Sequence, residues 1–334
     1  MGSRLVQVAC PVCGSAQSSD IFMVKDYVHR ISDDTFGVRR CADCGAGFLS
    51  PRPAAGDIGN FYPREFYWSF ENSAEAPLTA AELLARRSVQ VANKLRCMAH
   101  LKPGRLLDVG AMKGEFLYAA RQQGWRVEGV EFSAFVPNLF DVPIRYGEFL
   151  DMDFAPGSVD CVTMWAVLEH VYEPRAYARK IATVLEPGGS FIGVVTNFNS
   201  IHARWLRADD FPRHLTMFTK SSLRALLREA GLQPVRMWTD QRLFGGALRG
   251  AMTYGAKRLI GYDVDEAFYE MRDWRDPQAF CCKFRGRRSG AMRWVSRVDN
   301  ATLWLPEKLL DLLGFGFNLG FEARKVFRGP LTPN

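Results

Sequence analysis

Residues 106–117, LLDVGAMKGEFL, constrain the fold more than any other stretch of the chain. Leu106, Leu107 and Val109 form a short apolar strand, Gly110 and Gly114 punctuate a turn, and a helix opens after it. About twenty residues further on, a second apolar strand, 126–130, ends in Glu131, an acid suited to a bidentate hydrogen bond with a ribose diol. A strand, a glycine-bearing turn, a helix and an acid closing the next strand form the unit with which parallel α/β sheets hold nucleotide-like cofactors. Spacing alone also allows a dinucleotide dehydrogenase. The glycines decide against it, because they run D-x-G-x-x-x-G from Asp108 rather than G-x-G-x-x-G.

The alternation extends well beyond this unit. Leu83, Leu84, Val89, Val91, Leu95 and Met98 recur at helical spacing across 79–100, and Pro103-Gly104 stops that helix. Strands are predicted at 105–109, 126–130, near 143–146, 159–164, 190–195 and 233–239, with helices at 114–123, 174–185 and 220–231. Successive βα units of this kind build a doubly wound parallel sheet. Near the end of the chain Phe317, Leu319, Phe321 and Ala323 alternate with Asn318, Gly320, Glu322 and Arg324, the pattern of a further strand.

Three segments together resemble the class I S-adenosylmethionine (SAM) methyltransferases. They are the Asp108–Gly114 turn with Glu131, the run from Gly157-Ser158-Val159-Asp160-Cys161-Val162 through Val167-Leu168-Glu169-His170-Val171, and the turn Leu185-Glu186-Pro187-Gly188-Gly189. The match covers residues 104–240, and Met112 departs from it, standing where the family usually has glycine. The resemblance implies a Rossmann-like α/β fold with a seven-stranded, mostly parallel sheet whose last strand is antiparallel, and SAM as cofactor. Carried over residue by residue, the cofactor-binding set is Asp108, Gly110, Ala111, Gly114, Glu131, Phe132, Glu148, Phe149 and Trp165. In it Glu131 takes the ribose hydroxyls, Glu148-Phe149 offers an acid and a ring to adenine, and Trp165 walls the pocket.

Ahead of this core, Cys10-Pro11-Val12-Cys13-Gly14 and Cys41-Ala42-Asp43-Cys44-Gly45 are two C-x-x-C-G knuckles, with 27 residues between Cys13 and Cys41. Four thiolates so spaced fit a closed tetrahedral Zn2+ site, structural rather than catalytic, with Cys10, Cys13, Cys41 and Cys44 as ligands. Each knuckle needs its glycine for a backbone position of positive φ. Cys97, Cys161, Cys281 and Cys282 show no such pattern and read as apolar or incidental thiols. The resulting division is a zinc ribbon over 1–52, an aromatic connector and leading helix over 53–103, the SAM-binding core over 104–240, an insertion over 241–315, and a final strand and tail over 316–334. The connector holds Phe61-Tyr62-Pro63-Arg64-Glu65-Phe66-Tyr67-Trp68, whose rings suit packing on the core or a lid over the cofactor mouth.

At 334 residues the chain has room for one main domain with additions, and no apolar run is long enough to span a bilayer. The N-terminus shows no basic segment leading into an apolar stretch, so a cytoplasmic setting is expected. The formal charge of +7 is concentrated late: residues 201–334 hold 23 Lys and Arg against 14 Asp and Glu. Within the insertion, Lys283, Arg285, Arg287, Arg288, Arg293 and Arg297 precede the amphipathic stretch 303–313. Three readings stand for 283–313: peripheral contact with an anionic membrane face, a lid on the substrate pocket, or plain packing.

Methyl transfer to oxygen or carbon needs a base. Candidates are Glu169, His170, His202 and His214. Of these His214, in the segment D-D-F-P-R-H-L-T-M-F-T that follows the fifth core strand, is the favoured catalytic base, since an imidazole titrates near neutral pH. Sugar C-methyltransferases with an N-terminal zinc ribbon carry an H-E-H run here, of which His214 matches the last member. Related ubiquinone-pathway enzymes bind a divalent ion with E-x-x-E-H. Here Ala166 stands in place of the first acid, so Glu169-His170 is read as structural or substrate-facing. His170, Asn197 and Tyr67 complete the expected substrate contacts. The favoured reaction is O-methylation of a small-molecule, glycan or lipid-linked acceptor. The alternatives are C-methylation of a nucleotide-linked keto sugar, RNA methylation, and a non-catalytic SAM-binding or zinc-ribbon module. Nucleic acid is disfavoured, because the aromatic base-stacking pattern is missing.

Overall fold

The computed structural model describes residues 4–26, 31–62, 79–200, 209–240 and 301–326, with positions 203, 242, 294, 297 and 298 besides. Tyr67, His202 and most of the basic insertion lie outside the described residues.

The N-terminal part is all strand: β1 (Leu5–Val6), β2 (Ser18–Lys25), β3 (Thr35–Cys41), β4 (Gly47–Leu49) and β5 (Arg52–Pro53). Helix α1 (Ala80–Met98) follows, opened by a capping box in which the Thr79 side chain accepts from Glu82 N and the Glu82 carboxylate accepts from Thr79 N. Then come β6 (Arg105–Val109), α2 (Glu115–Gln122), β7 (Arg126–Glu131), β8 (Ile144–Tyr146), β9 (Val159–Trp165), α3 (Pro174–Val184) and β10 (Leu185–Thr196). The chain continues through β11 (Thr216–Met217), α4 (Lys220–Glu229), β12 (Leu232–Thr239), α5 (Trp304–Leu313) and β13 (Asn318–Lys325).

Seven strands form one sheet in the order β8-β7-β6-β9-β10-β13-β12. The pairs from β8 to β10 are parallel, whereas β13 runs antiparallel to both β10 and β12. This is the expected sheet, with its last strand reversed. One boundary differs: β10 begins at Leu185, five residues before the predicted start, with an irregular register between Leu185 and Ser190. Glu186-Pro187-Gly188-Gly189 therefore bulges within a strand instead of preceding it, and Gly188 takes the positive φ (+83°) that the bulge needs.

Alternate strand residues serve opposite faces. Leu106, Cys161, Ile192 and Val194 pack beneath Leu83, Phe116 and Leu117 of α1 and α2. Leu107, Val162, Phe191 and Val195 pack beneath Ile181, Leu223 and Leu227 of α3 and α4. The ribbon shares both sheet and core with the rest of the molecule. Its strands extend to β11, in the order β11-β4-β3-β2, with Thr216 opposite Phe48. Cys10, Cys41 and Phe48 join the α3–α4 core, while Phe22, Phe36 and Leu49 form a further cluster with Phe198, Phe211, Leu215 and Met217.

Candidate active site

The four ribbon cysteines place their sulfurs within 4.8 Å of one another. Cys10 Sγ lies 3.6 Å from Cys44 Sγ, and Cys13 Sγ lies 3.5 Å from Cys41 Sγ. Tetrahedral bonds of about 2.3 Å to a central ion set sulfur–sulfur edges of about 3.8 Å, so the thiols stand close to ligating geometry. Gly14 and Gly45, at φ +79° and +75°, make the left-handed turns that converge the sulfurs.

The other cluster sits where ligands bind in a parallel sheet, beyond the carboxyl ends of its central strands. After β6 the chain turns through Gly110 (φ +88°), Met112 (φ +50°) and Gly114 (φ +91°), which caps α2. A Cβ on Gly110 would fall 2.3 Å from Val167 Cγ2, so the turn approaches the loop after β9 too closely for a side chain. Glu131 ends β7 almost wholly buried. Its Oε2 accepts from Met112 N (2.9 Å) and its Oε1 from Ser133 N (3.0 Å), which ties the acid to the glycine turn. Burial pushes this carboxyl up from the usual range, partly countered by those N–H donors. Phe132 beside it is 61% exposed, an unusual position for a phenylalanine ring.

Asp108 is buried inside β6 and accepts from Thr163 Oγ1 of β9 at 2.6 Å. Burial lifts its carboxyl to about 7 against the opposing pull of Lys94, an α1 residue that reading the sequence did not single out. The Lys94 ammonium also lies 5.7 Å from the rings of both Phe116 and Trp165. Trp165, at the end of β9, is buried, and its Nε1 finds no hydrogen-bond partner among the described residues.

Past β9 and β10 lies a histidine cluster. His214 Nδ1 bonds Asp209 Oδ1 at 2.5 Å, and the His170 and His214 rings meet edge to face at 4.4 Å. His170 Nδ1 faces Tyr62 OH (2.9 Å) and Arg213 O (3.2 Å). Glu169 is fully buried, and neither carboxylate oxygen reaches a well-formed hydrogen bond among the described residues. Burial by itself would press the His214 imidazole down, but the charge and hydrogen bond of Asp209 outweigh it and hold the group at about 9. Burial lifts Glu169 to about 7, against the pull of His214. Burial and the neighbouring His214 charge press His170 down to about 3, leaving it neutral. The ligating atoms of Glu169, His170 and His214 lie within 4.8 Å of one another.

Residues 82–236 match a family described as a methyltransferase domain. Among curated proteins, the chain is 28% identical over 207 residues to the ubiquinone biosynthesis O-methyltransferase of Ralstonia nicotianae, covering 54% of this chain and 82% of that one. It is 30% identical over 112 residues to the like-named protein of Cupriavidus pinatubonensis, covering 30% and 45%. Among solved structures, a geranyl diphosphate C-methyltransferase from Streptomyces coelicolor A3(2) aligns with TM-score 0.45 and 16% identity over 74% of this chain and 83% of that one. A SAM-dependent methyltransferase from Thermotoga maritima aligns with TM-score 0.40 and 18% identity over 49% and 83%.

Residues 82–236 form a class I SAM-dependent methyltransferase domain. The residues present suit the cofactor: a glycine turn, a buried acid ending the next strand, an exposed phenylalanine beside it, and an indole N–H without a hydrogen-bond partner among the described residues. Several assignments made from the sequence need correction within this methyltransferase. Phe149 is buried in the core against Phe154 and Tyr177, with ring centroids 5.6 and 5.4 Å away, so its face is not available to adenine. Glu148 caps the short turn after β8, accepting from Leu150 N (3.2 Å) and from Tyr177 OH. Asn197 is buried, donates to Gly314 O and Gly316 O at 3.0 and 2.8 Å, and accepts from Asn199 N. Its amide anchors the end of α5 and leaves no N–H for a substrate. Ala111 packs under α2 and contributes its backbone to the turn, donating to Val130 O. Asp209 had no role assigned from sequence. The only local signal was an acid five residues before the histidine.

Proposed function

We propose that this enzyme transfers the SAM methyl group to a hydroxyl oxygen of a small-molecule acceptor, with His214 as base and Cys10, Cys13, Cys41 and Cys44 holding a structural Zn2+. The observation that supports this most directly is the buried Asp209–His214 pair beyond the carboxyl ends of β9 and β10. Bound SAM supplies an electrophilic methyl on a good leaving group, so the protein's own task is proximity, alignment and removal of the acceptor proton. Asp209 fixes the ring through Nδ1 and leaves Nε2 to take that proton. The imidazolium formed then lies next to Asp209 and the carboxyl of Glu169, both of which favour its charge. The names of the curated relatives support oxygen as the acceptor atom.

A lipid-linked acceptor is the finer reading. It draws support from α5, where Trp304, Leu305, Leu309, Leu312 and Leu313 are each more than half exposed, while Asn197 ties the helix end to β10. Among the described residues no helix is long and apolar enough to cross a membrane. The test is methyl-labelled SAM offered with a panel of phenolic, polyol and polyprenyl-linked acceptors. Base-stable label on oxygen supports the proposal, and label on carbon overturns it. His214→Ala should abolish turnover while leaving SAM affinity in place.

A further inference from the structure

The segment that carries His214 is held in place by the ribbon. On one side Leu49 N donates to Leu215 O at 3.0 Å, and β4 pairs with β11 immediately beyond. On the other side Leu215 N and Thr216 N donate to Glu169 O at 2.8 and 3.1 Å. Backbone pairing fixes the path of this segment, and the side chain of Arg213, next to His214, adds a second tie to the ribbon.

Arg213 is fully buried, and its guanidinium is turned away from solvent into the ribbon. Nη2 donates to Asp26 Oδ1 at 3.1 Å, to Asp210 Oδ1 at 2.7 Å and to Phe211 O at 3.1 Å, while Nη1 reaches Phe61 O at 3.5 Å. Asp26 directly follows β2. Its side chain has no exposure, and its Oδ2 accepts from Ile31 N at 3.0 Å. The carbonyl of Arg213 lies 3.2 Å from His170 Nδ1, so one residue is linked to both histidines. A buried ion pair is weak evidence for stability, because well-packed apolar residues of similar volume serve at least as well. Directionality is what the pair offers and an apolar substitute lacks.

We propose that Asp26 of the ribbon is a positioning residue for His214, acting through Arg213 to hold the imidazole against Asp209. The relevance to turnover rests on His214 being the base. The geometric claim stands apart from it. The titratable groups facing His214 are Asp209 and Asp210 from its own segment and Glu169 and His170 from the loop after β9.

Asp26→Ala leaves a buried guanidinium short of its partner and risks misfolding. The decisive variant is therefore the double substitution Asp26→Leu with Arg213→Met, which removes both charges and keeps the volume. The readout is the far-downfield proton resonance of His214 Nδ1–H in its short bond to Asp209, assigned by its disappearance in His214→Ala. S-adenosylhomocysteine titration by calorimetry serves as the check on the fold. We expect the resonance to be lost in the double variant while the cofactor-product affinity stays within about twofold, as for a site that shares no partners with the substitution. A double variant that binds S-adenosylhomocysteine and keeps the resonance overturns the proposal, as does one in which both readouts are lost together, since the pair would then serve the whole fold. If the resonance is lost but His214→Ala turns over normally, the positioning role stands and the base assignment falls.

Discussion

His214 combines two properties that pull apart. It is placed to accept a proton, yet Asp209 holds it at about 9, so at neutral pH most molecules carry the imidazolium. If it is the base, kcat/KM for the acceptor should climb with unit slope as pH rises and level off above about 9. Asp209→Asn should move that limb to lower pH. A limb unaffected by the substitution would remove His214 from the chemistry. The linkage to stability has the opposite sense. A histidine raised on folding contributes fully below its unfolded value of about 6.5. That contribution is lost as pH rises through about 9, so the enzyme should become easier to denature between these values, as urea midpoints across the range would show. Met112 poses a simpler case. A non-glycine residue at φ +50° is strained by roughly 1–2 kcal/mol, and glycine relieves this at the cost of a looser unfolded chain. Met112→Gly should therefore change stability little and leave SAM affinity intact, measured by denaturation and calorimetry.

Among the elements, α5 shows how a side chain acquires a structural role. The sequence places Asn197 at the end of a core strand, where a substrate contact is plausible, but its amide is taken up by the carbonyls of Gly314 and Gly316. Asn197→Ala leaves those acceptors unmatched in a buried place and should cost roughly 2–4 kcal/mol. Faster hydrogen exchange confined to α5 and β13, with SAM affinity unchanged, is the expected signature. A specific rise in acceptor KM without loss of stability would instead return Asn197 to the substrate site. Strand β10 makes a related point: Pro187 and two glycines suggest a turn, and the pairing of Leu185 with Val159 carries the strand through them as a bulge.

At the scale of the molecule, the ribbon and the catalytic sheet have one core. Cys10, Cys41 and Phe48 pack with residues of α3 and α4, and β4 supplies backbone partners to β11. If the four thiols hold the proposed Zn2+, stripping it should therefore lower the melting temperature of the whole protein in one transition, with metal release coinciding with loss of the sheet. An early, separate ribbon transition with the sheet intact would show the two to be independent. The electrostatics are also shared: Arg213, from the catalytic part, finds one of its carboxylates, Asp26, in the ribbon.

Local pattern was enough for much of this protein. The alternation of strands and helices, the glycine turn with Glu131 and the two cysteine knuckles are all written in short windows, because periodicity and turn chemistry act over a few residues, whereas the reversal of the last strand came from the family resemblance. Contacts between windows are not written there. Asp209 beneath His214, Lys94 beside Trp165, Tyr62 on His170 and Asp26 on Arg213 join residues brought together by packing. The same holds for the reassignment of Phe149 to the core and Asn197 to an anchor. Strands, cofactor turn and thiol cluster thus follow from local pattern. Which polar groups face one another in a buried site follows from packing, and there burial and neighbouring charge set each group's protonation.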